Sequence, residues 1–134
     1  MKNLFIKTSL NKIDSVKSEL IKKNAYLVEI DGRQIKTIQE YLKVVSEKFN
    51  FPEEPSHVKW DGYLDWIRDL SWLENYSSFA IIIYNYENFL SKDEKKKKAI
   101  IEDFVDVIIP YWENKIIEVT KGGKPKAFSV YILW

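Results

Sequence analysis

FPEEPSHVKWDGYLDWIRDLSWL, residues Phe51 to Leu73, joins a proline-punctuated acidic loop to an amphipathic segment. Pro52 and Pro55 stop any helix that comes before them. From Trp60 onward, residues three or four apart share a helical face, and Trp60, Tyr63, Leu64, Ile67 and Leu70 fall on one apolar stripe. The spacing predicts a helix over residues 60–70, anchored to a core through that stripe. At about 100° per residue, Asp61, Asp65 and Asp69 lie roughly 100°, 140° and 180° from Trp60, an acidic row turned away from the apolar side. From Glu53 to Glu74, Glu53, Glu54, Asp61, Asp65, Asp69 and Glu74 face only Lys59 and Arg68, a local net charge of −4 in a chain whose formal charge is +1.

Upstream, Tyr26 to Ile30 (YLVEI) reads as a short strand with Asp31-Gly32 as its turn. Thr37-Ile-Gln-Glu40 is a capping box that opens a helix, in which Ile38, Tyr41, Leu42, Val45 and Phe49 form one face to about Asn50. Downstream, Phe79 to Tyr86 (FAIIIYNY) is apolar without alternation, the mark of a strand covered on both faces or at the centre of a parallel sheet. Ser91-Lys-Asp-Glu94 has the spacing of a second capping box, before a helix with Ile100, Ile101, Phe104, Val105, Ile108 and Trp112 at three- to four-residue intervals. Pro110 should kink or end that helix. Lys121 to Pro125 (KGGKP) reads as a turn, and Ala127 to Trp134 (AFSVYILW) as the last strand. Strands alternating with helices imply a small parallel α/β sheet with right-handed crossovers. In residues 1–24, Leu4 and Ile6 can make a short strand. Ile13, Val16, Leu20 and Ile21 recur at helical spacing, and Asn24 is placed as a left-handed cap. This extension is expected to be helical and packed on the domain, either as a patch over an exposed face or as an extra contact surface.

The order of these pieces resembles the barstar family of intracellular ribonuclease inhibitors: a strand ending in IDG (Ile30 to Gly32), a helix, an FP dipeptide (Phe51, Pro52), then W-D-x-x-x-D-x-I (Trp60, Asp61, Asp65, Ile67). The likeness covers roughly Ala25 to Trp134. It implies a two-layer α/β fold with three parallel strands, neighbours in chain order, to which residues 1–24 are an addition. It also implies that the loop and helix after the proline plug the active site of a small basic ribonuclease, the acids standing in for RNA phosphates, with Asp61 and Asp65 at the two matching aspartate positions. Between the proline and the Trp-Asp pair the family usually has a tyrosine or phenylalanine, a glycine and an asparagine. This chain has Glu53, Glu54, Pro55, Ser56, His57, Val58 and Lys59, one residue longer, with Lys59 where the asparagine would stand. A later family acid aligns loosely with Lys98.

Composition bounds the function further. A length of 134 residues suits one domain with a core of its own. The 21 Lys and Arg nearly cancel 20 Asp and Glu, so there is no global basic field and direct nucleic-acid binding is not expected. With no cysteine there are no disulfides or thiolate metal sites, which fits a reducing compartment. The N-terminus lacks the apolar run of a signal peptide and nothing approaches the roughly 20 apolar residues of a membrane span. The expectation is a cytoplasmic protein with no membrane partner. A single histidine, His57, lacks the partners of a catalytic constellation, and Gly122-Gly123 is not followed by a helix, so neither nucleophilic catalysis nor a phosphate loop is supported. A straight row of aspartates does not converge on a metal without ligands from elsewhere, so no cofactor and no metal are expected. Arg68 is placed to pair with Asp65 or Asp69. Lys95 to Lys98 reads either as a solvated face or as a patch for phosphate or an acidic partner. At least one of Trp60 and Trp66 should be core, and Trp66, at roughly 240°, is the better candidate for an exposed anchor. The expected partner-binding residues are Asp61, Asp65, Asp69, Glu53, Glu54 and Trp66, on a protein that is monomeric when free. The expected partner is a basic ribonuclease or related toxin. The alternative is the same fold with a non-ribonuclease partner.

Overall fold

The structure, a computed structural model, describes residues 4–115 and 126–134; the turn expected at residues 121–125 lies outside the described residues. Four strands, β1 (Phe5–Thr8), β2 (Ala25–Asp31), β3 (Ser78–Tyr84) and β4 (Ala127–Leu133), form one parallel sheet in the order β1-β4-β3-β2. Helix α1 (Leu10–Lys22) joins β1 to β2, α2 (Ile38–Lys48) and α3 (Trp60–Ile67) lie between β2 and β3, and α4 (Glu94–Asp103) follows β3.

Four strands replace the three expected, and three layers replace two. From β2 the chain steps to β3 and on to β4 in one direction, whereas from β1 to β2 it crosses the whole sheet the other way. Right-handed crossovers running in opposite directions place their helices on opposite faces. Accordingly Val28, Ile30, Ile81, Ile83, Phe128 and Val130 pack in one cluster with residues of α2, α3 and α4. Ile82 and Leu133 pack on the other face with Ile13 of α1. Phe79 to Ile83 are all buried, as the unbroken apolar run required. Each large apolar side chain so removed from water contributes roughly 1.5–3 kcal/mol. The extension is thus part of the sheet. Phe5 to Thr8 pair with Val130 to Leu133, and α1 is pinned by Lys17 to Glu29 at 3.0 Å, a carboxylate that also accepts from the Tyr84 hydroxyl at 2.6 Å.

The α2 capping box forms as read: Thr37 accepts from the Glu40 amide and Glu40 from the Thr37 amide. Its apolar face, Ile38, Tyr41, Leu42, Val45 and Phe49, is buried. Asn24 takes the left-handed conformation expected of it, φ 59°. The second box does not form. The N-cap of α4 is Asp93, without a side-chain cap bond, because Leu90 and Lys92 donate their amides to Ile35 and Lys36 and hold Ser91 in a turn. Pro110 neither ends the helix nor breaks it off. Phe104–Ile108 and Tyr111–Lys115 widen into π-helical turns on either side, the Ile109 amide reaching Phe104 five residues back. Such widening accommodates a ring that displaces a carbonyl, and it leaves Ile108, Ile109 and Trp112 buried.

At the end of β2, Asp31 accepts from the Arg33 side chain at 3.1 and 3.3 Å, from the Arg33 amide at 3.0 Å and from Asn85 at 2.9 Å. The Arg33 side chain first, its amide second and Asn85 third hold the Asp31 carboxyl down to about 2, against an ordinary 3.8. A depressed carboxyl contributes stability that is complete above the unfolded-state value and is lost as pH falls through the folded one. Urea midpoints should therefore drop between about pH 4 and pH 2, and Asp31→Asn should flatten that limb; since Arg33 is largely solvated, screening keeps the change small.

Candidate protein-binding surface

The surface is built on α3 and the loop that leads into it. Phe51 is buried against Phe49 and Trp66, so the chain leaves the core at Pro52 and Glu53 and Glu54 emerge exposed. Glu53 turns back: its Oε1 accepts from the Trp66 indole N–H at 2.9 Å. The same oxygen lies 3.6 Å from where a side chain at Gly62 would begin, so the loop carboxylate sits on the helix at Gly62 and Trp66, one turn apart. Glu54 accepts from the Ser56 amide and hydroxyl at 3.3 and 3.0 Å and caps the short turn Pro55–His57. Those two bonds, with smaller help from His57 and Lys43, hold its carboxyl below the usual carboxylate range.

Asp61 and Asp65, four residues apart on α3, share its outer face and are exposed. Asp65 pairs with Arg68 at 3.4 Å, and Arg68 also donates to the Leu64 carbonyl at 2.9 Å. Asp69 leaves the row. The helix ends at Ile67, three residues short of the expected end, and Leu70 adopts φ 49°. The left-handed turn is unfavourable for leucine by about 1–2 kcal/mol, but it drives Leu70 into the core at 1% exposure, and Asp69 lies on the turn beyond the helix. Trp66 is not a free exposed anchor. It is half-buried, tilted against Phe51 and edge-on to Trp72, with its N–H engaged by Glu53. Trp60 is half-buried as well, so neither tryptophan is fully core.

Three bonds that periodicity does not reveal fix α3 to its neighbours. The Tyr63 and Tyr41 hydroxyls meet at 2.7 Å, the Trp60 indole donates to Asp103 at 2.9 Å and the Trp112 indole donates to the Ile67 carbonyl at 3.0 Å. Burial pushes both tyrosine hydroxyls well above their ordinary value, so the pair stays neutral. Asp103 gave no signal in the sequence, since at about 60° from Ile100 and about 100° from Phe104 it falls off the apolar stripe of its helix. The lysine run divides: Lys97 donates to the Tyr86 carbonyl at 2.9 Å and lies over its ring, Lys96 lies 4.9 Å over Trp60 and Lys98 pairs with Glu102 at 4.0 Å. Trp66→Phe should keep the ring packing but release Glu53. Because the bond is exposed and the residue only half-buried, its loss should cost at most about 0.5–1.5 kcal/mol of stability, read as a small drop in the urea midpoint.

Fold and surface together define a small parallel α/β domain that presents carboxylates on a braced helix. Among the described residues no group of three or more His, Asp or Glu side chains is placed to hold a metal ion, and no helix is long and apolar enough to cross a membrane. The family described as Barstar (barnase inhibitor) matches residues 25–121, well over half the chain, and the protein belongs to that family. The matched residues begin at the first residue of β2, so β1, α1 and β4 lie outside them. No curated protein and no solved structure matches the chain.

Proposed function

We propose that the protein inhibits a small basic ribonuclease, or a related toxin, in the cytoplasm, by presenting Asp61, Asp65, Glu53 and Glu54 to the cations that would otherwise hold RNA phosphates. The observation that carries this reading is the Glu53 carboxylate held against α3 by Trp66, beside two exposed aspartates on a helix tied down at Tyr63, Trp60 and Ile67. Carboxylates already in place lose little ordering entropy on binding. They bond strongly to guanidinium and ammonium groups and raise the encounter rate with a basic surface. Family membership supplies the partner class. Asp69, off the helix row, lies at the rim of the contact. Titration into RNA cleavage by a panel of small basic ribonucleases should give stoichiometric inhibition of at least one, with α3 contacting its active site. Cleavage that proceeds unchanged across the panel at large excess would refute the reading.

A further inference from the structure

Beside the acid face lies a cleft of about 480 Å³ between the start of α2 and the loop before α3. Ile38, Leu42 and Val58, all nearly buried, make its floor, and His57, Lys59 and Trp60 stand on its rim. Lys59 gives the cleft its chemistry. It occupies the N-cap of α3, makes no capping bond there and is exposed. That position favours Ser, Thr, Asp or Asn, and the helix dipole disfavours a cation at it. Among the described residues Lys59 has no ion pair to offset this. Lys96 sets a second cation, also without an ion pair among the described residues, over the Trp60 ring. The nearest loop carboxylates are already engaged, Glu54 by Ser56 and Glu53 by Trp66. An apolar floor, an indole wall and two rim lysines that make no ion pair among the described residues favour an apolar or aromatic group that bears a negative charge.

We infer that this cleft is a second docking point for the partner, receiving an apolar or aromatic side chain flanked by a carboxylate. The inference rests on α3 being the partner-binding helix, since Lys59 and Trp60 run directly into Asp61. The partner's surface would then be basic opposite Asp61 and Asp65 and acidic opposite Lys59. A uniformly basic partner would meet Lys59 as a like charge, so the residue acts as a determinant of specificity.

The test uses the whole chain, labelled with nitrogen-15, and two matched probes, 3-phenylpropionate and 3-phenylpropylamine. The propionate should shift the amides of Gln39, Ser56 and Lys59 saturably, binding about tenfold more tightly than the amine, a separation of about 1.4 kcal/mol. Lys59→Glu, an exposed change that suits the helix N-terminus, should leave the fold intact and reverse that preference. Equal shifts from both probes, no saturable shift, or a preference untouched by Lys59→Glu would overturn the inference. Against an inhibited ribonuclease, Lys59→Glu should weaken inhibition about tenfold. A ribonuclease lost to Asp65→Ala but indifferent to Lys59→Glu overturns the cleft's role and leaves the inhibitor reading standing. Selective propionate binding with no ribonuclease inhibited does the reverse, supporting the cleft's chemistry and removing the ribonuclease.

Discussion

Gly32→Ala should destabilise the protein by about 3 kcal/mol and lower its melting temperature by roughly 10 °C. A Cβ built at Gly32 would stand 2.5 Å from the Asn85 carbonyl oxygen and 2.8 Å from that of Tyr84. Both oxygens belong to backbone at the end of β3, a central strand buried on both faces, so neither yields as a flexible side chain would. The glycine of the IDG sequence is there because β2 and the turn after β3 approach too closely for any side chain. Gly62→Ala is the matched control. It lies inside α3, its Cβ would meet only Glu53 Oε1 at an ordinary 3.6 Å, and the helix gains about 0.5–1 kcal/mol from losing a glycine. Two Gly→Ala changes in one chain should therefore shift the urea midpoint in opposite directions.

Asp65→Ala should leave folding almost untouched and cripple binding. Its side chain is 77% exposed and its one ion pair, with Arg68, is a surface pair, worth within about 0.5 kcal/mol. Opposed to the cations of a ribonuclease active site, the same carboxylate becomes desolvated, and its removal should weaken binding by about 2–5 kcal/mol, mostly through faster dissociation. Close charge pairs between barnase and barstar themselves are known to couple by about 1.5–7 kcal/mol. Loss of Asp65 also frees Arg68 to repel a basic partner. Surface plasmon resonance resolves the two rates. An unchanged dissociation rate, with a complex still formed, would remove Asp65 from the contact.

Local chemistry made much of this molecule legible. The Thr37–Glu40 box needs only residues three apart, and β3 announces itself as five consecutive buried side chains. What failed was set by distant partners. Ser91–Glu94 carries the same local pattern as Thr37–Glu40, but amide bonds from Leu90 and Lys92 to residues 35 and 36 overrule it. The short strand at Leu4 and Ile6 was readable and forms as β1, but its place in the sheet depends on Val130 to Leu133 at the other end of the chain. With β1 in place, the crossover rule requires α1 on the far face, and the third layer follows. In the candidate site, the acid face of α3 was readable from spacing as far as Asp65. Its early end was not, because Leu70 leaves the helix to reach the core. Nor was the bond from Trp66 to Glu53, thirteen residues apart across a loop whose path no periodicity describes. Trp66, expected as an anchor for a partner, engages this chain's own Glu53 carboxylate.

The inhibitor reading stands or falls on whether the carboxylates of α3 block an active site. The most direct measurement titrates the protein, and in parallel an Asp61→Ala, Asp65→Ala double variant with an unchanged circular dichroism melt, into RNA cleavage by an inhibited small basic ribonuclease. The predicted result is stoichiometric inhibition by the natural sequence and none by the variant at the same concentrations. Inhibition of equal strength by both would contradict it, and would move the contact off the acid face of α3.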